Sequence, residues 1–318
     1  MLRWLVLGWL FGLALAARAE DAYPSKPIRI VVGYSSGGGN DLIVRLIAPR
    51  MSEGLGQPVL VENKPGAQSI IAAEAVARAP ADGYTILMGP SGPMTMNPAT
   101  YRRLPYSPTR DFAPIATIAS FPLILAVPAA APIRTVQELV AFAKANPDKA
   151  SYASSAAPFQ IASELFKQRT GTQFVHVPYK GSGESVQAVI SQQVTMTLSD
   201  AAPVSAAVRA GTVRALAVTS ARRQASLPDV PTLAESGFPD MEIVLWTALF
   251  APAQTPPAVI ARLQGEVARV VRLPEVREGF ARLGVDPVGG SSEELARTLQ
   301  SDLERWSAVA RAAAIRND

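Results

Sequence analysis

Ile28-Arg29-Ile30-Val31-Val32-Gly33-Tyr34-Ser35-Ser36-Gly37-Gly38-Gly39-Asn40-Asp41 is the stretch that decides the fold class. Its first five residues form a β-branched apolar run, the composition of a short strand. Gly33 to Gly39 reads as a loop, since glycine weakens a strand interior. From Asp41 the apolar residues Leu42, Ile43, Leu46, Ile47, Met51 and Leu55 recur at helical spacing. Strand, Gly-rich loop and helix together open a β-α unit. Pro49 lies inside the helical pattern and is expected to kink or shorten that helix.

The same alternation extends outward. Val59–Glu62 and Tyr84–Met88 read as strands around an Ala-rich helix over Ile70–Ala79. Ile115–Ser120 and Leu123–Val127 are two more apolar strands. Thr135-Val136-Gln137-Glu138 is a capping box that opens a helix reaching about Ala145. Strands follow at Ser151–Ala153, Phe174–Val177, Val194–Leu198, Ala215–Thr219 and Trp246–Ala251. Helices are read at Gln160–Arg169, Glu184–Ser191 and Val259–Arg272. Ser291-Ser292-Glu293-Glu294 caps a last helix with Leu295, Leu299, Leu303 and Trp306 on one stripe. Strands separated by helices imply a parallel sheet, and so many units exceed one small sheet. The reading is therefore α/β with two lobes. Residues 20–121 and 246–318 form the first lobe and 122–245 the second, with the last long helices packing back on the first. The crossings fall near Phe121–Leu125 and Leu245–Phe250.

Composition narrows the chemistry. Of 318 residues, 48% are hydrophobic and 18% charged, so a packed core is expected. No cysteine is present, which excludes disulfides and thiolate sites. His176 stands alone, which excludes a multi-histidine metal site. The net charge of +4 is spread singly, with no nucleic-acid patch. Residues 1–19 read as a signal peptide: Arg3, an apolar run over Trp4–Ala16, then Ala17-Arg18-Ala19 with cleavage after Ala19. The run is shorter than the roughly 20 residues of a membrane span. The chain is expected to be exported and soluble.

Enzyme motifs are missing. The 33–41 loop has no Lys-Ser/Thr after its last glycine, so it is not a Walker loop, and Leu42 stands where a dinucleotide fingerprint needs glycine. No Gly-x-Ser-x-Gly elbow and no metal-ligand carboxylate spacing occurs. His176, between Val175 and Val177, is read as structural. What remains are loops that follow strands: Ser35–Asp41, Ser91–Asn97, Ser154–Ala157 and Asp200–Ala202. At the carboxyl edge of a sheet such loops gather where ligands bind. Their free N–H groups at helix starts suit a carboxylate.

Further stretches carry a family resemblance. They include Tyr23–Ile28, Gly38-Gly39-Asn40-Asp41, Val61-Glu62-Asn63-Lys64-Pro65-Gly66-Ala67 and Asp82-Gly83-Tyr84-Thr85. Tyr152-Ala153-Ser154-Ser155, His176-Val177-Pro178-Tyr179-Lys180-Gly181 and Leu216-Ala217-Val218-Thr219-Ser220 follow. Leu227–Thr232 and Pro287-Val288-Gly289-Gly290 complete the order. The chain resembles the substrate-binding proteins of tripartite tricarboxylate transporters, the Bug family of periplasmic solute receptors. The resemblance implies a two-lobed periplasmic binding protein fold, type II-like, with the ligand in a cleft between lobes. It implies a small organic acid as ligand, no metal or cofactor, and membrane transporter subunits or a membrane sensor as partners of a monomer. It places the carboxylate between Tyr34, Ser35, Gly38, Gly39, Asn40 and Asp41 on one side and Ser154, Ser155, Ala156 and Ala157 on the other, with Ser91 and Asp200 as neighbours.

Two departures bear on the ligand. Gly33-Tyr34-Ser35-Ser36 replaces a proline-rich start, adding a phenol and N–H donors. Ala156-Ala157-Pro158-Phe159 replaces Gly and hydroxyl residues, which makes the second clamp more apolar and favours a ligand with an apolar or aromatic end. These loops hold no arginine, so neutral donors are expected to do the binding. A periplasmic hydrolase-like enzyme using the same cleft is the alternative. Asp41 is assigned to organising its loop rather than to direct contact.

Overall fold

The computed structural model describes residues 23–224 and 226–316. The signal peptide and its cleavage site after Ala19 lie outside the described residues.

The first lobe opens with β1 (Ile28–Val32), α1 (Gly39–Leu55), β2 (Val59–Asn63), α2 (Ile70–Ala77), β3 (Thr85–Pro90) and the short α3 (Asn97–Thr100). β4 (Phe112–Pro128) then leads to α4 (Val136–Ala145), β5 (Ser151–Ser154), α5 (Ala157–Thr170), β6 (Val175–Pro178), α6 (Ser182–Ile190), β7 (Met196–Asp200), α7 (Ala201–Arg209) and β8 (Val213–Val218). β9 (Val244–Pro252), α8 (Pro257–Val270), α9 (Pro274–Leu283), β10 (Asp286–Pro287) and α10 (Ser292–Ala312) close the chain.

The strands follow one path, β2-β1-β3-β9-β4-β7-β5-β6, with β8 and β10 added on β4. It is not the parallel sheet expected from the alternation. β1 pairs in parallel with β2 and β3, and β5 in parallel with β6 and β7. β9 runs antiparallel to β3 and β4, and β4 antiparallel to β7 and β8. The reason is the traffic between lobes: the chain leaves the first lobe along β4 and returns along β9, so neighbouring strands there must oppose.

β4 also replaces two expected strands with a single one of 17 residues. Phe112 to Pro122 pair with β9, whereas Leu123 onward pair with β7 and β8. Pro122 sits where the ladder changes partner, the place where a missing N–H is tolerated. Leu123 resumes donation at once, to Thr219 Oγ1 at 2.7 Å.

Both faces of each sheet are covered. Ile30 and Val32 face a core with Ile43, Ile47, Met51, Met88 and Phe280, while Val31 faces one with Ala72, Leu87, Trp246 and Phe250. In the second lobe Leu123 and Leu125 join Tyr152 and Phe166, and Ile124 and Ala126 join Ala153 and Val189. This is strand alternation with both faces buried. α1 runs through Pro49 for 17 residues without being shortened, because Ile47, Ala48, Met51 and Leu55 are buried along it and packing outweighs propensity. α7 and α9 were not expected. Both carry proline in their first turns, which reads as a breaker in sequence but is compatible with a helix start.

α10 starts on a complete capping box at Ser291 and Glu294. Its Leu295 and Leu299 belong to a first-lobe core, whereas Trp306, Val309 and Ala310 belong to the second-lobe core. The helix therefore lies across both lobes.

Candidate functional site

A cavity of about 520 Å3 lies between the lobes, within the range of roughly 300–1,000 Å3 typical of small-molecule sites. Tyr34, Ser35, Gly38, Asn40, Gln68, Ser91 and Asn97 line it from the first lobe. Ser155, Ala156, Pro158, Phe159, Lys180, Ser182 and Asp200 line it from the second. Phe121 and Leu245, paired across β4 and β9 at the crossing, line it between the two.

Four helices begin at this wall. Gly38, Ala156, Gly181 and Asp200 are the N-cap residues of α1, α5, α6 and α7, and all four line the cavity. None of them makes a side-chain capping bond. The first N–H groups of a helix have no partner inside it, and its N-terminus carries about half a positive charge. Four such ends bring backbone N–H dipoles to one cavity, with the Lys180 ammonium beside one of them and the Asp200 carboxyl capping another.

The first-lobe loop is held from below by Asp41, which is fully buried. Its Oδ2 accepts from the Gly37 N–H at 2.8 Å and from Arg45 Nε at 2.8 Å, and its Oδ1 from Asn63 Nδ2 at 2.7 Å. Asn63 Nδ2 also donates to the Tyr34 carbonyl at 3.0 Å. Burial pushes the carboxyl up, but the bonds from Arg45, Gly37 and Asn63 outweigh it and hold its pKa at about 2. Asn40 is fixed separately: its Oδ1 accepts from Thr247 Oγ1 on β9 at 2.8 Å. Gly33 approaches Ser69 so closely that a Cβ would collide with it.

In the second lobe Ser155 and Ser182 hydroxyls lie 3.3 Å apart. Ser182 and Ser199 hydrogen-bond Asp200, whose carboxyl is nonetheless pushed up by burial. Ser154 is buried, and its hydroxyl meets His176 Nε2 at 2.7 Å. The His176 ring stacks on Tyr152 at 4.9 Å, and burial lowers its pKa, so it is neutral at neutral pH. Among the described residues no carboxylate is hydrogen-bonded to His176, so this pair has no third member to orient it as a base.

The sequence-predicted residues divide accordingly. Tyr34, Ser35, Gly38, Asn40, Ser91, Ser155, Ala156 and Asp200 line the cavity. Gly39 lines a flanking pocket of about 350 Å3 with Asn40, Phe121 and Asp200. Ser154 and Ala157 line another of about 300 Å3 with Gln68 and His176. Asp41 lines none of the three. Gln68 and Ser182 were not singled out, Asn97 entered only as the end of the Ser91–Asn97 loop, and Lys180 only as part of the family resemblance. Lys180-Gly181-Ser182 follows a strand and opens a helix, so the rule that found the other loops applies there too. It also brings a cation to a wall for which neutral donors alone were expected.

This geometry stands beside a family match. The family model of the tripartite tricarboxylate transporter family receptor covers residues 43–315. The chain belongs to that family. A protein of Pseudomonas sp. (strain P51), from the tcbD–tcbE intergenic region, is 39% identical over 307 residues, covering 93% of this chain and 91% of its own length. Protein BugT of Bordetella pertussis (strain Tohama I / ATCC BAA-589 / NCTC 13251) is 33% identical over 303 residues, covering 94% and 93%. Among solved structures, an R. palustris protein with adipate matches with a TM-score of 0.82 at 35% identity, covering 92% of this chain and 99% of that one. MatC from Rhodopseudomonas palustris with bound malate matches with a TM-score of 0.78 at 30% identity, covering 90% and 99%. The tricarboxylate-receptor membership makes the chain a Bug-type solute receptor, not an enzyme, and its two-lobed α/β architecture is that of the family. No helix among the described residues is long and apolar enough to cross a membrane.

Proposed function

We propose that the chain is a periplasmic receptor that captures a small organic carboxylate in the interlobe cavity and delivers it to membrane transporter subunits or a sensor. The observation that carries this is the meeting of four helix N-termini, capped by Gly38, Ala156, Gly181 and Asp200, at one cavity wall. Adipate and malate in related structures support an acid as ligand. Ser35, Gly38 and Asn40 would meet the carboxylate from the first lobe, with Ser155, Ala156 and Ser182 opposite. Asp41 positions that loop without touching the ligand. Phe121, Phe159, Pro158 and Leu245 supply walls for an apolar arm. The lobes are 20–121 with 246 onward and 122–245, α10 reaching over both; the ladder change at Pro122–Leu123 supports the first boundary. Export with cleavage after Ala19 predicts Glu20 as the first residue on N-terminal sequencing.

Thermal shift of the mature chain with an organic-acid panel tests the ligand class. A ligand at 100 times its Kd adds about 2.7 kcal/mol of stability. A carboxylate is expected to raise Tm while its uncharged alcohol or ester does not. A panel of carboxylates that leaves Tm unmoved would overturn the reading.

A further inference from the structure

Ala67, Gln68 and Ser69 have φ of 46°, 52° and 69°, three consecutive left-handed residues without a glycine among them. L-residues avoid this conformation, and the run persists only if its surroundings impose it. Here they do. Asn97 Nδ2 donates to the Gln68 carbonyl at 3.0 Å, and Ser69 is buried against Gly33, which has no space for a side chain.

The run turns Gln68 into the cleft. Gln68 lines the main cavity and also the flanking pocket of about 300 Å3, so it stands where the two meet. Its own side-chain amide has no hydrogen bond with the described residues, although its backbone carbonyl is held by Asn97. The flanking pocket shares no lining residue with the other flanking pocket, which holds Asn40, Phe121 and Asp200. Its polar side chains are those of Gln68, Gln160, Tyr101, Tyr179, His176, Ser154 and Ser155, beside the start of α5 at Ala156 and Ala157, with no carboxylate and no Lys or Arg. Carboxamides and hydroxyls donate and accept, and so does a neutral imidazole. A neutral hydroxyl or carboxamide can use donors and acceptors alike here, whereas a carboxylate would be desolvated with no cation beside it, unlike in the main cavity with Lys180.

We propose that the left-handed run holds the Gln68 carboxamide as a specificity-determining contact for a ligand whose end remote from its carboxylate carries a neutral hydrogen-bonding group, a hydroxyl or carboxamide. The proposal rests on the carboxylate-capture reading above and adds the chemistry of the second end.

Calorimetry with hexanoate, adipic acid monoamide and adipate tests it on the wild type, Gln68→Gly and Gln68→Ala. The wild type is expected to bind the monoamide about tenfold more tightly than hexanoate, the size of one neutral hydrogen bond. Adipate should bind less tightly than the monoamide. Both variants should lose the monoamide preference over hexanoate, the ratio of the two affinities falling to about one. Gln68→Gly should also keep or raise the unliganded Tm, because it relieves the left-handed run, whereas Gln68→Ala relieves nothing. A wild type without the monoamide preference, or variants that retain it, would overturn the proposal while carboxylate capture stands. A wild type whose Tm none of the three acids moves would remove the carboxylate reading and this proposal with it.

Discussion

Asp41 shows how much one buried carboxylate can settle in a binding loop. Both of its oxygens are occupied by donors, from Gly37 and Arg45 on one and Asn63 on the other. Its folded-state pKa of about 2 lies below the ordinary 3.8. The stabilisation is therefore fully present above about pH 4 and is lost as pH falls through 2. Asp41→Ala should cost ~2 kcal/mol at pH 7, and the gap to wild type should shrink on acidification toward pH 2.5. Denaturant unfolding at the two pH values checks this. Asp41→Asn should lie nearer to Ala than to wild type, because an amide offers one acceptor where two carboxylate oxygens are needed. Calorimetry should show ligand affinity falling in both variants, since the Gly37 N–H is released and the loop loses its shape. Unchanged affinity would reduce Asp41 to a helix-stabilising residue. The triple glycine followed by Asp41 was legible, and Arg45 one turn later was within reach of sequence reasoning. Asn63 was not, because it comes from the end of the neighbouring strand β2.

At the scale of elements, α10 is the instructive case. Its capping box and its stripe of Leu295, Leu299, Leu303 and Trp306 were readable as an amphipathic helix. Its destination was not. A helix of 21 residues is about 30 Å long, about the diameter of a small domain, and one stripe can serve two cores. The apolar spacing specifies which face is buried but carries no label for what covers it. Trp306 is almost fully buried in the second-lobe core, and Asp302 between the two halves accepts from Trp246 Nε1 at 2.8 Å. Arg305 reaches the Glu242 carbonyl beside the return strand β9 at 2.6 Å. Trp306→Ala should cost about 3–5 kcal/mol, read as a lower urea midpoint, and should destabilise the second lobe although the residue follows the first-lobe segment in sequence. A loss below about 1 kcal/mol would mean that the end of α10 is not part of that core.

At the scale of the whole molecule, the lobes are joined by β4 and β9 with α10 lying across them. β4 changes its pairing from β9 to β7 and β8 at Pro122–Leu123, next to the start of β9, and so narrow a joint would allow closure around a ligand. Phe121 and Leu245, on the hinge itself, line the cavity, so rotation there changes the cavity directly. Small-angle scattering should show a smaller radius of gyration with a saturating carboxylate than without it. An unchanged radius at saturation would indicate that the described arrangement is already the binding state and that the hinge does not turn.

Local order in this chain was set by patterns that act over a few residues. β-branched runs, helical apolar spacing, capping boxes and Gly-rich loops located most of the strands and helices, and the loops that reach the cavity, because their physics is local. Strand direction was not determined that way: apolar alternation is the same for parallel and antiparallel neighbours, and only the two passages between lobes made β4 and β9 oppose. The left-handed run at Ala67–Ser69 was equally hidden, since none of the three residues favours that conformation and contacts distant in sequence, from Asn97 and Gly33, hold it. Gln68 enters the cleft through that tertiary imposition, so the sequence alone determined the α/β class, most elements and the loops that reach the cavity, while the packed fold decided strand direction and which further side chains line that cavity.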